Sequence, residues 1–411
     1  MQLKTITSLL TLTISLAWQA GAQIYDTNNV VVQTFAGSGF SGYVDGIGEL
    51  TMFNNPSAVV ADSSGNLFVW DYQNYRIRKI TPDGTVSTFA GGGSQTTGYG
   101  TNASLNYTVN SMAIDHENAL WLVVYYYNYL LRIGSDAHVS ITPLNGLSFP
   151  FGVCVDSGNK VYISDYDGNK IYRYGTNGVL ELFAGSGNGG SADGNGIFTS
   201  FSSPMALAAD AADNIYVWDY LNGLIRRINQ NRDVVTIAGS TRGDLDGVGR
   251  GALFSSVSSM CVDGSGNVIL ACGNSVRKMT ASTNVTTLAG SFSASEFGYT
   301  NGAGNLARLN SPRGVCVSQG KIFVADTGNQ RIRQIVFNST SQPVAPANLQ
   351  LSTFAGLQII GTVGRTYQIQ SSPDMAIWST AATVLLPASP YLWIDQHPVS
   401  GNKFYRAFRL P

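Results

Sequence analysis

The chain has 411 residues, a formal net charge of −1 and 44% hydrophobic residues, enough for a sizeable buried core. Charged residues are only 12%, about half the usual share of roughly 25%, and no basic excess exists to neutralise phosphates, so no nucleic-acid partner is expected. Three His (His116, His138 and His397) and four Cys without zinc-like spacing argue against a multi-histidine metal site or a disulfide scaffold.

Residues 1–22 read as a secretory signal. Lys4 supplies the positive start, Ile6 to Trp18 the short apolar stretch, and Ala20-Gly21-Ala22 the small-residue cleavage site. The apolar stretch is shorter than the roughly 20 residues a membrane span needs. The mature chain is therefore expected to be secreted, periplasmic or at the cell surface, beginning at Gln23.

From residue 30 the chain repeats itself. Phe53 and Pro56 lead into Val59-Val60-Ala61-Asp62, then Gly65-Asn66, Leu67 to Asp71, Asn74, and Arg76 to Ile80. The same order returns through Pro204, Asp210, Asp219, Asn222 and Ile225 to Ile228, and again through Pro312, Asp326, Asn329 and Arg331 to Ile335. Weaker copies bring the total to six, with Val124, Asp165, Asp219, Cys272 and Asp326 at the position of Asp71, in steps of 53, 41, 54, 53 and 54 residues. Each copy holds four short β-rich runs separated by turn residues such as Thr81-Pro82-Asp83-Gly84. Four antiparallel strands repeated six times predict a six-bladed β-propeller, in which blades cover each other's apolar faces.

The string Thr-Phe-Ala-Gly closes the fourth run at Gly91, with variants at Gly185, Gly239 and Gly290. The last copy has no good fourth run, yet Val30 to Gly37 reads VVVQTFAG ahead of the first. The N-terminal strand is therefore expected to complete the last blade and close the ring. Residues 339–347 have linker composition, with Pro343 and Pro346. Residues 348–411 carry short alternating runs and predict a small β-sandwich-like domain. The expected organisation is a signal at 1–22, a propeller over 23–338, the linker, and a C-terminal β domain over 348–411.

The pattern Pro-x-Gly-Val-x-Val-Asp-x-x-Gly-Asn-x-Tyr-Val-x-Asp-x-x-Asn-x-Arg-Ile, best seen at 147–174 and 309–335, resembles the NHL-repeat family of secreted bacterial type. The resemblance covers roughly residues 30–337 and implies a six-bladed propeller used mostly as a binding surface. The pairs Trp70-Asp71 and Trp218-Asp219 do not make WD repeats, because the period is too long and no Gly-His precedes them. The C-terminal run Gly-x-x-Tyr-x-Ile-Gln-x-Ser, a Trp and a terminal Phe-Tyr-Arg are similar to a small module on secreted bacterial proteins, which implies no activity.

Strand alternation puts the long loops and the turns after Asp71 and its equivalents on one face, where a propeller ligand would sit. Asp71, Asp165, Asp219 and Asp326 could ring a metal or act as acid and base. The preferred reading is local: with Asn74, Asn222 and Asn329 and the following Arg, they cap turns. Asp45-Gly46, Asp193-Gly194, Asp246-Gly247 and Asn301-Gly302 lack the closing Glu of a calcium loop and read as ordinary turns. Cys154, Cys261 and Cys316 share one register and read as small core residues. A pairing of Cys261 with Cys272 stays open but is disfavoured. No Gly-x-Ser-x-Gly or phosphate loop is present.

One feature breaks the repeat. Blade 2 has Tyr125-Tyr126-Tyr127 where other blades have polar turns, and blade 3 alone lacks a long loop. This predicts a notch bordered by Tyr166 and Asp167, suited to a sugar or peptide, unless the tyrosines pack between blades. The sequence thus predicts a monomeric, non-enzymatic binding or scaffold protein for a protein, peptide or carbohydrate ligand, without metal or cofactor. The alternative is a propeller hydrolase or lyase, lactonase-like, with its site at the central channel.

Overall fold

The computed structural model describes residues 30–293, 295–337, 356–359, 362–387, 391–394 and 404–410. The signal and linker readings fall outside these residues. The chain divides into two compact units, Met1–Thr340 and Ser341–Pro411.

Among the described residues, the first unit holds six antiparallel sheets. Blade 1 runs Pro56–Ala61, Leu67–Asp71, Arg76–Ile80 and Thr85–Gly91 from inside outward. Blades 2 to 5 repeat this order, with innermost strands Val109–Ile114, Pro150–Val155, Pro204–Ala209 and Ser259–Val262. Blade 6 takes Pro312–Ser318, Lys321–Asp326 and Arg331–Phe337 from the end of the unit and Val30–Ala36 from its start. The innermost strand of each blade packs against those of both neighbours, and that of blade 6 returns to that of blade 1. The result is a closed β-propeller.

Closure by the N-terminal strand follows from its pattern. Val30 and Val32 point inward, and Val32, fully buried, stands opposite the equally buried Ile335. Second strands are apolar on both faces, as in Leu67-Phe68-Val69-Trp70-Asp71, where every residue is buried. Trp70 and Trp218 are completely enclosed. Burying a large apolar side chain stabilises by roughly 1.5–3 kcal/mol, so these repeated strands carry much of the fold.

Glycine is required where the outer strand ends. Gly37, Gly91, Gly185, Gly239 and Gly290 all have φ between 86° and 103°. A side chain at Gly91 would also meet the carbonyl oxygen of Tyr75 at 2.4 Å. This is why the Ala-Gly pair recurs in the sequence.

The long loops leave a short fifth strand on the outer edge of five blades, such as Gly46–Ile47 against Thr85–Gly91. Blade 3 has four strands, Pro150–Val155, Val161–Asp165, Lys170–Tyr174 and Leu180–Ala184, and lacks this addition among the described residues. The second unit holds a three-stranded sheet (Ser379–Leu385, Thr366–Ser372, Phe404–Arg409) and a two-stranded one (Gly356–Ile359, Tyr391–Ile394). Its small core is Ile359, Ile369 and Leu386.

Candidate functional site

The turn acids are engaged by turn N–H groups and side chains, but their cation differs from the sequence expectation. Asp71 accepts the Asn54 N–H at 2.7 Å and the Asn74 side chain at 2.7 Å. Its cation is Arg78 at 3.0 Å, on the third strand, and not the nearer Arg76. Arg76 instead donates to the Asn74 carbonyl and lies 4.5 Å from the Tyr43 ring. Arg76 and Arg78 share one face of the strand; Arg76 stands opposite Asp71 at the first position of its strand and is only half-buried, while Arg78, two residues further in, is fully enclosed. Asp219 with Arg226 and Asn222, and Asp326 with Arg333 and Asn329, repeat the arrangement.

The Asp-Gly loops are also more than turns. Arg78 donates to the loop carbonyls of Met52 and Val44 and to Asp45. Arg226 does the same with Ser200, Ala192 and Asp193, and Arg277 with Leu253, Leu245 and Asp246. Arg333 binds Arg308, Thr300 and Asn301. Each of these four fully buried arginines staples one long loop onto its blade. Burial raises Asp71 from 3.8 to about 6 against the pull of Asn54, Asn74 and Arg78, and raises Asp219 and Asp326 in the same way. Leu131 and Tyr172 occupy the arginine register in blades 2 and 3. Asp165 therefore has no such arginine. It accepts the N–H groups of Ser148 and Phe149, and a side chain at Gly168 would strike its carboxylate at 2.0 Å.

The four cysteines are free, so the Cys261–Cys272 alternative is not realised. Burial pushes their thiols upward, Cys272 to about 12. His138 lies against Tyr99 with ring centroids 4.7 Å apart and the planes tilted by 46°, and the His116 N–H donates to Asn159 Oδ1. Among the described residues no three His, Cys, Asp or Glu side chains group as metal ligands.

The tyrosines divide. Tyr126 and Tyr127 are 67% and 62% exposed, whereas Tyr125 is half-buried against Phe149 of the neighbouring blade, with ring centroids 4.1 Å apart. Burial, then Tyr126 and Tyr72, push the Tyr125 hydroxyl up to about 12. Phe149 continues to Tyr166 at 5.9 Å, and Tyr166 to Tyr220 at 6.4 Å. Tyr72, Tyr125, Tyr166 and Tyr220 each directly follow the Asp71-type position, so one register supplies an aromatic crescent across four blades. Asp167 is exposed beside it.

Two rings of the crescent, Tyr72 and Tyr220, line a cavity of ≈ 350 Å³ at the channel mouth together with Trp218. A second cavity of ≈ 310 Å³ lies deeper, lined by all six innermost strands. The sequence reading missed the residues that line both. In blades 1, 2, 3, 4 and 6 the innermost ladder skips a position, leaving Ser57, Asn110, Phe151, Met205 and Arg313 as bulge residues that face the channel. Ser258, just ahead of its strand, completes the ring. A bulge re-aims a side chain in this way. The clue was the x of Pro-x-Gly-Val, which reads Ser, Phe, Met or Arg while its neighbours repeat.

Residues 309–335 match the NHL repeat. The matched segment falls on the three inner strands of the last blade. Among curated proteins, NHL repeat-containing protein 2 of Bos taurus is 34% identical over 110 residues, 26% of this chain and 15% of its own. The Arabidopsis thaliana protein SUPPRESSOR OF QUENCHING 1, chloroplastic, is 28% identical over 325 residues, 73% of this chain. The match spans only 27% of that protein's length. Among solved structures, a Bacteroides thetaiotaomicron protein of unknown function has a TM-score of 0.61 at 18% identity, covering 75% of this chain and 76% of that one. An auxiliary nutrient binding protein from the same organism has a TM-score of 0.57 at 18% identity, covering 74% and 76%. At such identity these structures show the β-propeller fold alone.

Proposed function

We propose that this NHL-repeat propeller is a non-enzymatic binding protein that takes a carbohydrate or peptide ligand at the channel mouth on its long-loop face. The observation that carries the reading is the aromatic crescent opening on the ≈ 350 Å³ cavity. Ring faces stack on the apolar faces of sugars and on side chains, and a pre-formed concave site loses little entropy on binding. The four arginine staples hold the surrounding loops in place, which favours a rigid recognition surface over a moving lid. The name of one structural relative, an auxiliary nutrient binding protein, agrees with this reading. Export, read from residues 1–22, would place the face outside the cytoplasm.

The test is a glycan and peptide screen of the intact protein, followed by calorimetry on Tyr126→Ala and Tyr166→Ala. Each substitution should weaken binding by about 1 kcal/mol or more while thermal unfolding is unchanged. Mass spectrometry of the recovered ligand separates binding from turnover. A chemically altered ligand would favour the hydrolase or lyase alternative.

A further inference from the structure

The channel ring is not chemically neutral. Its six residues are Ser57, Asn110, Phe151, Met205, Ser258 and Arg313. Arg313 is the cation among them, and the lining of both cavities includes no Asp or Glu. The four stapling arginines, Arg78, Arg226, Arg277 and Arg333, are each buried against an acid. Arg313 differs: it is exposed, and among the described residues it makes no ion pair or hydrogen bond. A bulge in the ladder between Pro312 and Gly314 places it there, so the side chain has no cross-strand partner.

Two further polar groups stand near the mouth. Ser57, 7% exposed on the same ring, has a buried Oγ without a hydrogen-bond partner. At the rim, the Arg242 guanidinium lies 4.6 Å from the Tyr220 ring centroid, which adds a second positive group beside the mouth.

We propose that the channel mouth binds a saccharide bearing a carboxylate, a uronic-acid type of sugar, with Arg313 holding the carboxylate. This rests on the binding reading above and specifies its ligand. The guanidinium offers a planar fork that matches a carboxylate in two parallel hydrogen bonds. Asn110 and Ser258 offer amide and hydroxyl groups to sugar hydroxyls. The aromatic crescent offers a stacking face to the sugar ring. A purely apolar ligand would leave Arg313 desolvated and unpaired, and a cationic one would oppose it.

The experiment is calorimetry of the full chain with oligogalacturonate, with its methyl ester and with a neutral oligosaccharide of equal length, repeated on Arg313→Gln. The acid should bind at least tenfold tighter than the ester. In Arg313→Gln that preference should fall below threefold, with an unchanged melting temperature because the side chain is exposed and unpaired. Equal binding of acid and ester to the wild-type protein would overturn the proposal, as would a preference that survives in Arg313→Gln. No binding of any of the three saccharides would also overturn it. The broader binding reading fails separately, only if the glycan and peptide screen finds no ligand that depends on Tyr126 or Tyr166.

Discussion

Replacing Arg78 with Leu should destabilise the propeller strongly. The side chain is fully buried, with hydrogen bonds to Met52 O at 2.9 Å, Asp71 at 3.0 Å, Val44 O at 3.1 Å and Asp45 at 2.5 Å. Asp45 is half-exposed and can return to water, but Asp71 is fully buried and cannot. Removing one partner of a buried ion pair costs about 3–5 kcal/mol, against a typical total stability of about 5–15 kcal/mol. The protein contains its own control, since blade 2 carries Val124 and Leu131 in these two registers, both buried. The double variant Asp71→Val with Arg78→Leu copies that pair and removes the stranded acid. It should be more stable than Arg78→Leu alone by about 1 kcal/mol or more, because two neighbouring changes in one network do not add. The single variant should also depend on pH. Asp71 already sits near 6 through burial, and losing Arg78 raises it further. A carboxyl raised in the folded state gives most stability below its ordinary value and loses it as pH rises through the folded value. The cost of Arg78→Leu should therefore be larger at pH 8 than at pH 5. Urea unfolding followed by far-ultraviolet circular dichroism at both pH values measures all three quantities. A single-variant cost under about 1 kcal/mol, or a double variant as unstable as the sum of its parts, would refute the staple.

Val32→Asp places a charge at a fully buried position of the closing strand, opposite Ile335, and should prevent folding or lower stability by several kcal/mol; wild-type-like thermal unfolding would show that Val30–Ala36 does not close the ring. A strong chelator should leave the melting temperature unchanged, since the turn acids are satisfied by Arg, Asn and backbone N–H groups; stoichiometric metal in the purified protein, lost with a drop of several degrees, would contradict this. Brief proteolysis should cut between Asn338 and Asn348, where Pro343 and Pro346 stand among Ser, Thr and Asn, and leave an intact propeller; first cuts inside the blades would count against two separable units.

The repeat made the blades legible because one strand pattern must satisfy the same burial six times. Val30 to Gly37 could be assigned to the last blade because its string duplicates the outer strands that end in Gly91 and Gly239. The crescent was partly legible, since Tyr125 to Tyr127 break the repeat and blade 3 lacks its loop. What escaped was chemistry set by register rather than by motif. Asp71 pairs with Arg78 and not with Arg76, although both lie on one face of the strand, because depth along the ladder and not sequence distance decides which side chain is enclosed with it. Asp45 and Asp193 looked like ordinary turns because their partners lie 33 residues away in the chain. Arg313 was hidden in the variable position of Pro-x-Gly-Val, where only the bulge shows that the side chain enters the channel.

The most direct measurement is a crystal structure of the protein with a ligand taken from the binding screen. Difference density should fill the channel mouth between Tyr72, Tyr166, Tyr220 and Arg313, with a ligand carboxylate within hydrogen-bond distance of the Arg313 guanidinium. Density for the same ligand on the opposite face, or on the outer edges of the blades, with this cavity holding only water, would contradict the account.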